Sequence, residues 1–152
     1  MITKTVTRFA TAGALALILS ALWWLMPAAT VAEVTVYKDA QCGCCAKWIE
    51  HLSRNGFDVT ANNLASVDMM RSAYGVPAQL ASCHTAVVAG YVVEGHVPAD
   101  AIQRLLKERP RIKGIAVPDM LAGSPGMEGA RAQHYDIVSF DAQGKTAIYE
   151  SR

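Results

Sequence analysis

The chain has 152 residues, 18% of them charged, with 14 Lys/Arg against 13 Asp/Glu and a formal net charge of +1. That balance gives no basic field to draw in nucleic acid, and the length suits one compact domain with its own core. No Ser-His-Asp set, phosphate loop or carboxylate pair at catalytic spacing supports hydrolase or transferase chemistry.

Lys4 and Arg8 precede an uncharged stretch over residues 9–32, which reads as an export signal. Small residues at Thr30 and Ala32 predict cleavage before Glu33. The alternative is a retained membrane anchor, because residues 9–26 are just long enough to span a bilayer. Either way the cysteines are expected to work outside the cytoplasm, in the periplasm, where disulfides persist. Without residues 1–32, 120 residues remain; the basic residues fall to 12 and the net charge to −1. No internal repeat or low-complexity tract follows.

Residues 33–37 alternate and are β-rich, so they predict a strand, with Lys38, Asp39, Ala40 and Gln41 as the turn after it. Cys45, Trp48, Ile49 and Leu52 share one helical face, and Asn55-Gly56 is a stop signal. Residues 57–60 predict a short strand and 64–74 a second helix ending at Gly75. A hairpin over 85–97 turns at Gly90, a helix over 99–107 is closed by Pro110, and 114–129 reads as a long Gly/Pro loop. A terminal hairpin over 135–140 and 146–149 turns through Asp141, Ala142, Gln143 and Gly144. The order βαβαββα with a cysteine turn after the first strand predicts an α/β, thioredoxin-like fold: a mixed sheet with flanking helices over 33–112, and a loop and β-hairpin extension over 113–152 packed on the same domain. In that fold the segment leading into the third strand, here Cys83-His84-Thr85, faces the cysteine turn across a short gap.

Three of the four cysteines fall in Cys42-Gly43-Cys44-Cys45, and the fourth, Cys83, precedes His84. A strand that delivers thiols to a helix start favours thiolate, through free N–H groups and the helix dipole. Thiolate is the nucleophile of disulfide exchange and also a soft ligand for Cu(I) or Zn(II). Three sulfurs in one turn favour a metal, and bridging thiolates let few cysteines hold several ions. A metal-free dithiol and purely structural disulfides stay open as alternatives.

The run Val36-Tyr37-Lys38-Asp39 into the cysteine turn, Cys83 through Val88, Gly90 through Pro98 and Gly123-Ser124-Pro125-Gly126-Met127-Glu128 closely resemble the CopG-type periplasmic copper-resistance proteins, long catalogued as a domain of unknown function. The resemblance covers nearly all of 33–150. It implies a thioredoxin-like domain with a C-terminal extension, copper held by cysteines in a small sulfur-bridged cluster, and interconversion of Cu(I) and Cu(II) in copper resistance. The expected metal ligands are Cys42, Cys44, Cys45, Cys83, Met127 and His84, with more than one copper ion per chain. A periplasmic copper chaperone or efflux system is the candidate partner of an otherwise monomeric protein, and a membrane enters only if the N-terminal segment is retained.

The other histidines read differently. His51 is expected on the helix surface, about 10 Å of rise beyond Cys44, His96 at a turn or helix start, and His134 on the surface. Met127, a soft neutral thioether, is expected to complete the thiolate site and Met120 to pack in the core.

Overall fold

The computed structural model describes residues 31–129 and 131–152; residues 1–30 of the expected export segment lie outside the described residues. Among those described, no helix is long and apolar enough to cross a membrane.

Seven strands form one mixed sheet in the order β2-β1-β3-β4-β5-β6-β7. The chain runs β1 (Glu33–Asp39), α1 (Gly43–Arg54), β2 (Asp58–Leu64), α2 (Asp68–Ala73), a 3-10 turn (Ala78–Leu80), β3 (His84–Val88), β4 (Tyr91–Gly95), α3 (Ala99–Glu108), β5 (Gly114–Val117), β6 (Asp136–Phe140) and β7 (Thr146–Ser151). Strand β1 pairs in parallel with β2 and antiparallel with β3, and β4 pairs in parallel with β5 across the α3 crossover. The expected mixed α/β sheet with flanking helices is therefore present, with the terminal hairpin continuing the same sheet.

Successive strand residues face opposite sides of a sheet, and the core divides accordingly. Val34, Val36, Val93, Ile115 and Ile137 pack with Trp48 and Leu52 of α1 and Ile102 and Leu105 of α3. Their neighbours Val92, Ala116 and Phe140 pack with Val76, Leu80 and Tyr74 beyond α2. Helices thus cover both faces, α1 and α3 on one and the α2 segment on the other.

Two elements differ from their sequence signals. The helix expected over 64–74 spans only Asp68–Ala73, because β2 stays in register with β1 as far as Asp39↔Leu64. The Ser66 hydroxyl then accepts from Asp68 N and sets the helix start. The stretch expected to be loop from 114 begins instead with β5, all four residues of which are buried. Ile115-Ala116-Val117 is a short apolar run bounded by Gly114 and Pro118, which periodicity cannot separate from loop. Gly114 is required there, since a Cβ would lie 2.8 Å from the Phe140 ring.

Candidate metal centre

The cysteine turn forms as the pattern suggests. Asp39 accepts from Gln41 N through its side chain and from Cys42 N through its carbonyl, which curls the chain off β1 into α1. Cys42 is the N-cap, its sulfur accepting from Cys45 N at 3.3 Å. Burial of Cys45, Trp48 and Leu52 fixes the helix rotation, so Cys42 and Cys44 are left half-buried at its head.

Strand β3 brings Cys83 to the same place. Cys83 Sγ lies 4.0 Å from Cys44 Sγ, and the Cys83 carbonyl is 3.7 Å from Cys45 Sγ. The ligand atoms of Cys42, Cys44, Cys45 and Cys83 all fall within 4.8 Å of one another. Within the cluster Cys42 and Cys45 are joined by a disulfide, while Cys44 and Cys83 are free thiols. The i, i+3 pair is a C-x-x-C embedded in the C-x-C-C run.

His84 is fully buried, its ring against Trp48 and its Nδ1 3.6 Å from Cys83 Sγ, and its Nε2 has no hydrogen-bond partner among the described residues. His96, expected as a turn or helix-start residue, is buried in the site instead: its Nε2 lies 2.9 Å from Cys83 Sγ. Its Nδ1 contacts the Pro125 carbonyl at 2.7 Å. A carbonyl only accepts, so Nδ1 carries the proton and Nε2 presents a lone pair to the thiol. A backbone carbonyl that fixes the tautomer in this way is the usual support of a metal-binding imidazole. Hairpin register accounts for this contact. Val88 pairs with Tyr91 and Thr85 with Glu94, and two further steps of that register set Cys83 opposite His96.

Cys83, His84 and His96 make a second potential metal-binding group, with Cys83 shared between the two. Soft sulfur, neutral imidazole and an unpartnered buried ring nitrogen fit a soft metal ion; no carboxylate joins either group among the described residues. Burial, then the neighbouring Cys44, push the Cys83 thiol up to about 12. A metal ion held by Cys83 would therefore have to displace its proton.

The remaining expected residues lie as follows. The extension closes over the head of α1: Gly126, at φ +84, passes so near that a Cβ would lie 2.7 Å from the Cys44 carbonyl and 2.9 Å from Trp48 N. Met127 follows it, half-buried, its N–H donating to the Ser124 carbonyl and its carbonyl accepting from Gly123 N. Met120 is not in the core but exposed, lining with Ser82, Asp119 and Cys83 an open cleft. His51 is not a free surface residue: its Nε2 accepts from Ala99 N at 3.1 Å, serving as the cap of α3 that Pro98 cannot supply. His134 is exposed beside Asp136.

Burial, reinforced by His96 and Lys38, lowers His84 to about 3, and burial also lowers His96 and His51. At these three histidines the folded state therefore binds fewer protons than the unfolded chain, so their contribution to stability is full above pH ~6.5 and falls as pH drops toward the folded values, while Glu94, its carboxyl pushed up by burial, acts in the opposite sense at lower pH. For His84 the loss reaches on the order of 5 kcal/mol near pH 3. Asp100 and Glu128 are held low by their partners and add to the loss only below their ordinary range. Denaturant midpoints of metal-free protein should fall steadily from pH 6.5 to 5, and a flat profile there would contradict neutral, buried histidines.

The family model described as "Protein of unknown function, DUF411" matches residues 80–127, a span that holds Cys83, His84, His96 and Met127. No curated protein matches the chain. Among solved structures, "Copper resistance protein copG- Form 2" is 44% identical, with a TM-score of 0.77 over 81% of this chain and 99% of that one. "Copper resistance protein copG- Form 1" is 44% identical, with a TM-score of 0.76 over 81% of this chain and 98% of that one.

Proposed function

This chain belongs to the family of the copper resistance protein CopG, and from that premise we propose that it binds copper in an exported, periplasmic domain. The observation that carries the reading is the convergence of four sulfurs within 4.8 Å from two distant segments. Reduced, they supply Cys42, Cys44, Cys45 and Cys83 as thiolate ligands, with His84 and His96 adding imidazole nitrogen and Met127 a neutral thioether. Thiolates select Cu(I), and their capacity to bridge lets the cluster hold more than one ion. Residues 33–112 are read as the thioredoxin-like core and 113–152 as its extension; the continuous sheet supports one domain. The proposed role in resistance is to hold copper and interconvert Cu(I) and Cu(II), receiving or passing it through a periplasmic chaperone or efflux system.

A second reading, a metal-independent thiol-disulfide oxidoreductase, is favoured by the Cys42–Cys45 bridge at a helix N-terminus. Copper analysis of anaerobically reduced, Cu(I)-loaded and desalted protein separates the two. More than one equivalent per chain is expected for the copper protein. Protein that retains no copper yet reduces a disulfide substrate would support the oxidoreductase.

The extension's role has its own test. Met127→Ala should leave the fold intact while copper passes to a competing chelator faster, by about tenfold if a ligand is lost (~1.4 kcal/mol). Release at the wild-type rate with an unchanged spectrum would make the loop a passive cover.

A further inference from the structure

The sulfurs of the site are divided two and two. Cys42 and Cys45 are bonded to each other, with Cα atoms 5.4 Å apart, while Cys44 and Cys83 remain thiols although their Sγ atoms are only 4.0 Å apart. The bonded pair is unequal. Cys42 is half-buried at the head of α1, where Cys45 N donates to its sulfur, and Cys45 is fully buried. Cys42 is therefore the member of the pair that a reagent from solvent can reach. The free pair keeps Cys83, the one cysteine that belongs to both ligand groups and touches His96 and His84.

We propose that Cys42 and Cys45 are the electron source for copper reduction at this site: their dithiol reduces Cu(II) to Cu(I), and Cys44, Cys83 and the two imidazoles retain the product. This deepens the copper reading and rests on it. In the step, Cys42 and Cys45 each lose a proton to solvent and one electron to a Cu(II) ion. One S–S bond forms, two Cu(II) become two Cu(I), and two protons leave. A bridge between Cys44 and Cys83 would supply the same two electrons but would consume the ligand shared by both groups. The site is reset by an external thiol reductant. One thiol of it attacks the half-buried Cys42 sulfur to form a mixed disulfide and releases Cys45 as a thiol; a second thiol then attacks the mixed disulfide, frees Cys42 and leaves with the first as the reductant's own disulfide, returning two electrons and two protons to the pair.

The test uses the reduced, metal-free protein, mixed anaerobically with two equivalents of Cu(II) and excess bathocuproine disulfonate, which colours with Cu(I). Two Cu(I) per chain should appear as two thiols are lost. Alkylation and peptide mapping should then find Cys42 joined to Cys45, with Cys44 and Cys83 alkylated. Cys45→Ser should form Cu(I) at least about tenfold more slowly, as expected when the two-electron couple has lost a member. Four alkylatable thiols after the reaction, or a bridge joining Cys44 to Cys83, would overturn the proposal. Direct loading of reduced protein with Cu(I) is measured beside it. Cu(I) bound without Cu(II) reduction overturns the electron source alone, whereas failure to bind Cu(I) overturns the copper reading beneath it.

Discussion

Replacing Cys83 with Ser should remove about half or more of the copper that the reduced protein holds, because it deletes the one soft donor common to both ligand groups. The residue is far from the cysteine turn in sequence, yet its sulfur lies 4.0 Å from Cys44 and 2.9 Å from His96 Nε2. Serine matches the size of cysteine and can donate to the same imidazole, so the metal-free fold should hold, with stability changed by about 1 kcal/mol or less. The pH dependence of copper uptake should change as well. Wild-type protein must release the proton of a thiol pushed up to about 12, so its apparent affinity rises with pH; the variant should lose part of that slope. Copper content and thermal unfolding measured on the same preparations decide the matter. Full copper retention in Cys83→Ser would show that Cys83 is not a ligand.

The parts of the fold legible in the sequence were those where one residue pattern had one physical meaning. Cys45, Trp48 and Leu52 at i, i+3 and i+7 are the buried face of α1, and the hairpin of β3 and β4 turns at Gly90 as expected, with Ala89, expected in the strand, joining it at positive φ. Where a long-range ladder decided, local pattern misled: pairing with β1 carried β2 through Leu64, and β5 closed between β4 and β6 on four residues. The site followed the same division. Sulfur clustering was visible in spacing. His96 was not, because its contact with Cys83 depends on hairpin register carried past the end of the strands, and Met120 was misplaced because no periodicity governs the loop after β5. His51 took its role from a helix that starts 48 residues later, through the bond to Ala99 N.

Glu94→Ala should be strongly destabilising although it alters no proposed ligand. Glu94 is fully buried on β4 and accepts from Arg71 Nε at 2.9 Å, from Ser82 N at 2.8 Å and from the Thr85 hydroxyl at 2.6 Å. Burial pushes its carboxyl up, and these donors oppose the shift. Arg71, mostly buried on α2, also donates to the Ser82 carbonyl, so the pair holds both backbone groups of the residue preceding Cys83. Truncation leaves Arg71 its Asp68 and Ser82 carbonyl partners but removes the acceptor of Arg71 Nε, Ser82 N and the Thr85 hydroxyl together, and at about 1–3 kcal/mol for each unsatisfied group the cost is about 3–5 kcal/mol, or a fall in melting temperature of about 10–20 °C for a domain of this size. A buried ion pair replaced whole by apolar groups is often neutral, but Arg71→Met with Glu94→Leu should recover only part of the loss. Ser82 N and the Thr85 hydroxyl would still lack their acceptor, and each such group costs about 1–3 kcal/mol. With Ser82 released, Cys83 is no longer held toward Cys44, so both variants should yield copper to a chelator faster than wild type. A fall of less than about 3 °C in Glu94→Ala, under 1 kcal/mol on the same scale, would mean that water replaces the carboxylate and that the pair neither stabilises the fold nor positions Cys83.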